Sequence, residues 1–406
     1  MHDSRAERPA DRCEPPCGAF VMSSGFVEIA LQIILVGSLV VVLYAYAGYP
    51  VVLWVWSLFA QRPVSRTAIT PRVSIVIAAW NEASRLAARI ENCLKQEYPL
   101  DQLEVIVVSD GSSDHTESVV RGFDSRVVRL VAIATRQGKA VALNEGVAQA
   151  TGDVIVFADA RQQFSPTVVG DLVANFFDAS VGAVSGELIL ESGPENAGAE
   201  GVGVYWKLEK WIRRKESEIG SVVGVTGAIY AIRRGLFAPL PSGTILDDLL
   251  VPMRIAMKGY RVLFEDRAKA YDQVSREYRD EFARKVRTLA GNYQAMALCP
   301  DLVKPWRNPL WFQFMSHKVC RLAAPFMLVI LFLSSAALAA DFPYAVVFLA
   351  QVAGYSAALI GWGLITAGVR ERWTSAAYTF CLLNYAALVG AIRFVRRDPA
   401  LWGKTS

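Results

Sequence analysis

Apolar residues are distributed along this chain in two ways. They are nearly continuous over residues 26–59, where Glu28 is the one charge, and again at about 319–340, 343–368 and 374–395. A bilayer core is crossed by roughly 20 apolar residues, so each run is long enough to span it. Between them, over 71–300, apolar runs are short and alternate with periodic segments. "RVSIVIAAWNEA", "LEVIVVSDGSSD" and "VIVFADA" read as buried strands that end in polar residues. "EASRLAARIENCLKQEY" has Leu86, Ile90 and Leu94 at helical spacing, and "QGKAVALNEGVAQATGD" reads as a helix stopped by Gly152. Strand, helix, strand, helix, strand with short connections predicts a parallel sheet covered on both faces, with ligands at the carboxyl ends of its strands.

The later half is less regular. "VGAVSGELIL" reads as a strand and "GVYWKLEKWIRRKES" as an amphipathic helix with Leu208, Trp211 and Ile212 on one face. "VVGVTGAIYAIRR" is small and apolar before a basic end, and "ILDDLLVPMRIAMKGYRVLFED" is an acid pair opening a helix, followed by a strand. The expected organisation is a disordered tail (1–25), a membrane helix (26–60), a catalytic domain (71–300), an interfacial linker (301–318), C-terminal membrane helices (319–396) and a tail (397–406).

Composition supports the membrane reading: 53% of residues are hydrophobic and mean hydropathy is +0.30. Lys plus Arg number 42 against 38 acids, and a net charge of +4 does not suit a nucleic-acid protein. The cations cluster at Arg213, Arg214 and Lys215 and at Arg284, Lys285 and Arg287, in segments with Trp or Tyr that suit anionic headgroups or a diphosphate. For the first cluster a solvated helix face fits equally well. Of six Cys, Cys13 and Cys17 are close, too weak a spacing for a metal site, and no disulfide framework is implied. Met22, opening "MSSGFVEIALQ", is an alternative translation start.

"SIVIAAWNEA", "VVSDGSSDHT", "RQGKAVALNEG", "VIVFADA", "VTGAIYAIRR" and "ILDDLLVPMRIAMKGY" stand in the order and spacing of family 2 glycosyltransferases. With apolar runs at both ends, the chain resembles their membrane-bound synthase branch, which makes hyaluronan, chitin, cellulose or poly-N-acetylglucosamine. The resemblance implies an α/β GT-A fold, with a Rossmann-like, mostly parallel sheet, flanked by transmembrane and interfacial α-helices.

The same resemblance implies the site. Glu82 and Asp110 correspond to the acids that hold the uracil and ribose of the donor, and Lys139 assists them. Asp159 corresponds to the first acid of Asp-x-Asp, beside the diphosphate and a divalent cation, Mg or Mn. Asp248 matches the base that takes the acceptor proton, with Asp247 orienting, although acids also favour helix N-termini through the macrodipole. Gly227 resembles the acceptor-side floor. For Asn81 and Asp114, local turn hydrogen bonds are an equal alternative.

Two departures stand out. The synthases' Gln-x-x-Arg-Trp has its best match in "RKVRT", where Arg287 and Lys285 keep diphosphate-facing cations but the Gln and Trp are gone. Processive polymerisation is therefore not implied; Trp206 or Trp211 is expected to give an aromatic surface or a membrane-interface anchor. Arg161 stands where a second acid would be, either replacing part of a metal's charge or pairing with a neighbouring acid.

The expected function is inverting transfer of a sugar from a nucleotide donor, UDP-linked, to a growing polysaccharide or a lipid-linked acceptor. The alternatives are single addition to a polyprenyl phosphate and a non-catalytic exopolysaccharide-assembly subunit. The expected location is the cell inner membrane, multi-pass among its lipids, with the catalytic domain cytoplasmic. "SHKVCR" and "RERW" then lie inside, as positive residues prefer, whereas three C-terminal spans put "RFVRRDPALWGKTS" outside, against that rule.

Overall fold

The structure, a computed structural model, describes residues 24–191, 200–273, 278–369, 371–398 and Leu401. The N-terminal tail with Cys13, Cys17 and Met22, and most of the C-terminal tail, lie outside the described residues.

Eight strands form one mixed sheet: β1 (Val73–Ala79), β2 (Leu103–Asp110), β3 (Val128–Ile133), β4 (Val154–Asp159), β5 (Gln163–Phe164), β6 (Val181–Glu191), β7 (Ile229–Arg233) and β8 (Arg261–Gln273). Their order is β3-β2-β1-β4-β7-β6-β8-β5. The first four are parallel, with Val73 beside both Leu103 and Val154. β7 then runs antiparallel to both β4 and β6, β8 is parallel to β6, and β5 is antiparallel to β8. This is a GT-A-like sheet, its parallel half being the part that the apolar pattern predicts.

Strand β1 shows why its sequence is apolar at all positions but Ser74. Ile75 and Ile77 face one core with Leu86 and Ile90 of the helix Ala83–Leu94, while Val76 faces a second core with Leu143 of the helix Lys139–Gln149. Both faces of the sheet are covered, so the one polar residue of the strand, Ser74, is buried with its hydroxyl donating to Glu104 of β2 and accepting from Gly152 N. The pattern does not mark β3, which is only partly buried and carries the exposed Arg129. The helix expected to stop at Gly152 ends at Gln149, because Ala150 is already extended (φ −72°, ψ 136°).

Four helices are long and apolar enough to cross a membrane: Gly25–Phe59, Trp311–Ala337, Phe342–Thr366 and Arg372–Val395. The second begins inside the segment read as a linker. The first two each carry a π segment, Tyr44–Gly48 and Met315–Val319, and these meet where Tyr44 and Ser316 share a hydrogen bond of 2.7 Å between their hydroxyls. The helix Glu200–Ile219 packs Ile212 and Ile219 against Tyr49 and Leu53 of the first. A buried polar network locks this junction. His317 has its two ring nitrogens 2.7 Å from Glu209 Oε1 and 2.8 Å from Glu216 Oε1. Tyr49 donates its hydroxyl to Glu216 at 2.6 Å, and Arg321 pairs with Glu209 at 2.7 Å.

Candidate functional site

The carboxyl ends of β1, β2 and β4 open on one edge of the sheet. At β1 the chain turns through Asn81, held at φ 55°, and Asn81 Oδ1 accepts from Ser113 N at 2.8 Å. Asp114 accepts from Ala83 N at 3.1 Å and from Thr116 N at 2.9 Å. These two residues therefore tie the loops after β1 and β2 together, as turn residues do. Glu82 lies between them and the end of β4; burial raises its carboxyl above the usual range, and neighbouring Arg85 and Arg161 oppose this.

Asp110 is buried at the end of β2, and its two oxygens accept from Gln137 N (2.7 Å) and Gly138 N (2.8 Å). It thereby shapes the loop leading into Lys139. Gly138 stands there at φ 96°, a backbone conformation open to glycine. Above this loop Arg136 stacks on Trp80, its guanidinium 3.6 Å from the ring centroid.

Lys139 opens its helix and reaches across the sheet edge. Its Nζ lies 3.0 Å from Asp159 Oδ1 and 3.6 Å from Asp247 Oδ1. Burial alone would lower the pKa of this ammonium, but Asp159, Asp247 and Asp248 together hold it raised. Asp247 and Asp248 occupy the first turn of the helix Asp247–Met257, whose N-cap, Leu246, is apolar and offers no side-chain cap. Asp247 is buried and takes a 3.4 Å contact from the Tyr230 hydroxyl. Burial and the adjacent Asp247 push Asp248 up to about 6, against the pull of Lys139, Arg213 and Lys318.

Gly227 lies directly against this acid: a Cβ there would meet Asp248 Oδ2 at 3.1 Å. The strap before it is fixed by Val225 N donating to the Asp248 carbonyl at 2.8 Å and by Arg213 donating to Thr226 Oγ1 at 2.8 Å. Arg287 joins the cluster electrostatically; burial lowers its pKa and the two acids oppose that. Lys285 is placed differently, over the Trp206 ring at 5.7 Å. Trp211 packs with the cluster around Tyr49, against the first apolar helix.

Arg161 binds Asp272 of β8 at 2.6 Å, and Gln162 donates to the same oxygen at 3.0 Å. The cation after Asp159 is thus committed to a buried acid far along the chain. Arg89 is a second cation that sequence reasoning misses. Fully buried, it donates to the Asp159 carbonyl at 3.1 Å and lies over Phe164 at 3.8 Å. Its signal is a charge next to Ile90 on the apolar stripe of its helix. Tyr230, stacked on Phe157 at 4.6 Å, carries no such signal.

Among the described residues no three His, Cys, Asp or Glu side chains cluster to hold a metal ion. Asp159 is the carboxylate that projects from the end of β4, and a hard cation such as Mg²⁺ needs one or two carboxylates when phosphate oxygens complete its shell. The donor set fits a cation held jointly with a phosphorylated ligand.

Residues 74–239 match the family described as Glycosyl transferase family 2. That segment is similar to a family 2 glycosyltransferase domain. The "Probable glycosyltransferase YdaM" of Bacillus subtilis is 27% identical over 235 residues, 55% of either chain. The poly-beta-1,6-N-acetyl-D-glucosamine synthase of Staphylococcus aureus is 24% identical over 229 residues, again 55% of either chain. The chain thus spans about half the length of the curated relatives it matches. A mannosyltransferase from Pyrobaculum calidifontis, solved in complex with GDP-Man and Mn²⁺, shares the fold at a TM-score of 0.65 and 24% identity, covering 92% of this chain and 99% of that one. The family match takes in Glu82, Asp110, Lys139, Asp159, Arg161 and Gly227 but stops short of the acid pair and Arg287.

Proposed function

We propose that this protein is an inverting, membrane-embedded glycosyltransferase that moves a sugar from a nucleotide donor to a glycan or lipid-linked acceptor. The observation that carries this reading is the joining of Asp159, at the end of β4, to Asp247 through one lysine, with Asp248 beside the open floor at Gly227. Asp248 takes the proton of the acceptor hydroxyl. That oxygen attacks the anomeric carbon from the Gly227 side while the carbon–oxygen bond to the diphosphate breaks and its electron pair leaves with the diphosphate. Lys139 and Arg287 are fixed cations toward which the leaving charge develops. A raised acid is suited to this work because a base functions best when its pKa lies near the operating pH.

Glu82 and Asp110 frame the nucleoside side, Asp110 by shaping the loop before Lys139. Asp159 would hold a divalent cation, Mg²⁺ or Mn²⁺, together with the donor phosphates; when bound, it would neutralise diphosphate charge. Arg161 braces β4 against β8 through Asp272, and Lys285 with Trp206 lines the acceptor side. The donor is UDP-linked in this reading, and the four apolar helices span the inner membrane with the catalytic domain cytoplasmic, where nucleotide sugars are made.

The test is nucleotide release by the purified full-length protein across a panel of UDP- and GDP-sugars, with neutral glycan and lipid-linked acceptors. Sugar transfer with release from one donor class supports the reading. No release from any donor with any acceptor would overturn it, and product length on the accepted substrate separates single addition from polymerisation.

A further inference from the structure

Arg89 is fully buried, and the roles above make no use of it. It lies on the helix Ala83–Leu94, next to Ile90 and three residues after Leu86, on the face that packs against the sheet. Among the described residues no carboxylate side chain pairs with it, and its Nη2 has no hydrogen-bond partner. Burial lowers its pKa, and Cys93 and Asp159 oppose that. A buried guanidinium without a carboxylate costs stability, so packing alone does not account for it.

Its engaged nitrogens show what it fixes. Nε donates to the Asp159 carbonyl at 3.1 Å and Nη1 to Asn92 Oδ1 at 2.6 Å. Asn92 in turn accepts from Phe164 N at 2.8 Å and donates to the Phe164 carbonyl at 2.9 Å, as a neighbouring strand would. With its guanidinium over the Phe164 ring at 3.8 Å, Arg89 joins Asp159, at the end of β4, to Phe164 of β5. Between those two residues, Arg161 and Gln162 are held by Asp272.

Asp159 is thereby gripped from both faces of the sheet. The helix Ala83–Leu94 covers one face and holds its carbonyl through Arg89; the helix Lys139–Gln149 covers the other and holds its carboxylate through Lys139 at 3.0 Å. The two holds are not equivalent. A divalent cation on that carboxylate repels the ammonium, whereas the bond to the carbonyl is left in place. Asp159 is also the last residue of β4 in the ladder with β1, opposite Ala78, so the orientation of its peptide rests on Arg89. Resting on the cation that the function proposed above assigns to Asp159, we propose that Arg89 is a positioning residue for that cation: it fixes the Asp159 peptide so that the carboxylate stays aimed at the open edge of the sheet when Lys139 gives way. Being buried, it acts through Asp159 and contacts no ligand itself.

The experiment is Mn²⁺ binding by the full-length protein, read by electron paramagnetic resonance in the presence of UDP and again of GDP. With the nucleotide that binds, Arg89→Met should hold Mn²⁺ about tenfold more weakly than the wild type, as loss of a group that orients a metal ligand does. Its affinity for that nucleotide without metal, read by titration calorimetry, should be unchanged. Its Tm should stay near or above the wild-type value, because a lone buried cation has been removed. Arg89→Lys, which keeps a donor toward the Asp159 carbonyl, should recover most of the lost Mn²⁺ affinity. A Met protein that binds Mn²⁺ as tightly as the wild type overturns the proposal, and so does a Lys protein no better than the Met one. Loss of Tm together with metal and nucleotide binding makes Arg89 a core residue and also overturns it. A wild type that binds Mn²⁺ with neither nucleotide overturns the cation at Asp159 and this proposal together. One that binds Mn²⁺ and nucleotide but transfers no sugar refutes the proposed function and leaves the role of Arg89 standing.

Discussion

The Lys139 ammonium lies 3.0 Å from Asp159 Oδ1, so the first residue of one helix closes the carboxyl end of the neighbouring strand. The same ammonium is 3.6 Å from Asp247 and lowers the pKa of Asp248. Replacing it, as in Lys139→Gln, leaves three acids to repel one another. Transfer should fall about 100-fold or more. The acid limb of the pH–rate profile should also move above its wild-type position near pH 6, because Asp248 loses a cation that favours its charged form. A limb that stays in place would remove Lys139 from contact with the base.

Asp248→Asn keeps the shape of the side chain but cannot accept a proton. Transfer should drop by about 10²- to 10⁴-fold with nucleotide affinity nearly intact. The raised value of about 6 means that folding favours the protonated acid, so its stabilisation is present at low pH and is lost as pH rises through 6. At neutral pH the Asn protein should therefore melt at or above the wild-type temperature, a trade of activity against stability. A lower Tm with full turnover would contradict both halves.

Gly227→Ala places a methyl group 3.1 Å from Asp248 Oδ2 and 3.3 Å from its Cβ, tighter than ordinary carbon contacts. The carboxyl must shift, and displacement of a catalytic group by about 1 Å costs on the order of 100-fold. The loss should appear in kcat, with donor KM little changed. An unaffected kcat would mean that the base does not work from this position.

Arg161→Asp rebuilds an Asp-x-Asp sequence but sets a second acid beside the buried Asp272. Destabilisation by about 1–3 kcal/mol is expected from the lost partner, with no gain in metal dependence. The wild type should already be inactive in excess chelator and recover with Mg²⁺ or Mn²⁺. Persistent activity in chelator would instead make Arg161 a replacement for the metal's charge.

Burial raises the carboxyls of Glu209 and Glu216, but His317 reverses the effect and holds Glu209 well below, and Glu216 below, the ordinary 4.5. Such depressed acids stabilise the fold above their unfolded pKa and lose that contribution as pH falls through the folded value. Melting temperature should drop steeply on acidification below about pH 4.5. Glu209→Gln, which strips a partner from His317 and Arg321, should cost about 3–5 kcal/mol at neutral pH. A variant that melts with the wild type would show the network to be dispensable.

What the sequence discloses follows from how locally each feature is encoded. β1, β2 and β4 are legible because strands covered on both faces are apolar at most positions, and the acids that end β2 and β4, Asp110 and Asp159, stand out against that run. Asp247 and Asp248 are legible for the same reason, as an exception in an apolar helix. Arg161 is visible, but its partner is 111 residues away, so the choice between its two readings depends on tertiary contact. Glu209, Glu216 and His317 look like ordinary charges on amphipathic segments, since a pairing across 101 and 108 residues leaves no periodic trace. β7 is hidden because its antiparallel neighbours, not its own pattern, bury Tyr230.

The junction at His317 separates two meanings of the word domain. By chain order the globular part ends near residue 300 and the apolar helices are attachments. By energy it does not, since two carboxylates of the globular part have their partners on Tyr49, His317 and Arg321. A fragment cut at residues 71–300 would expose the face that carries Glu209 and Glu216 to water and release the helix that pins Thr226. The Gly227 strap beside Asp248, the acceptor floor of the proposed function, would go with it. In the function proposed above, the apolar helices are therefore a wall of the reaction chamber, and a protein trimmed of them would need that wall rebuilt.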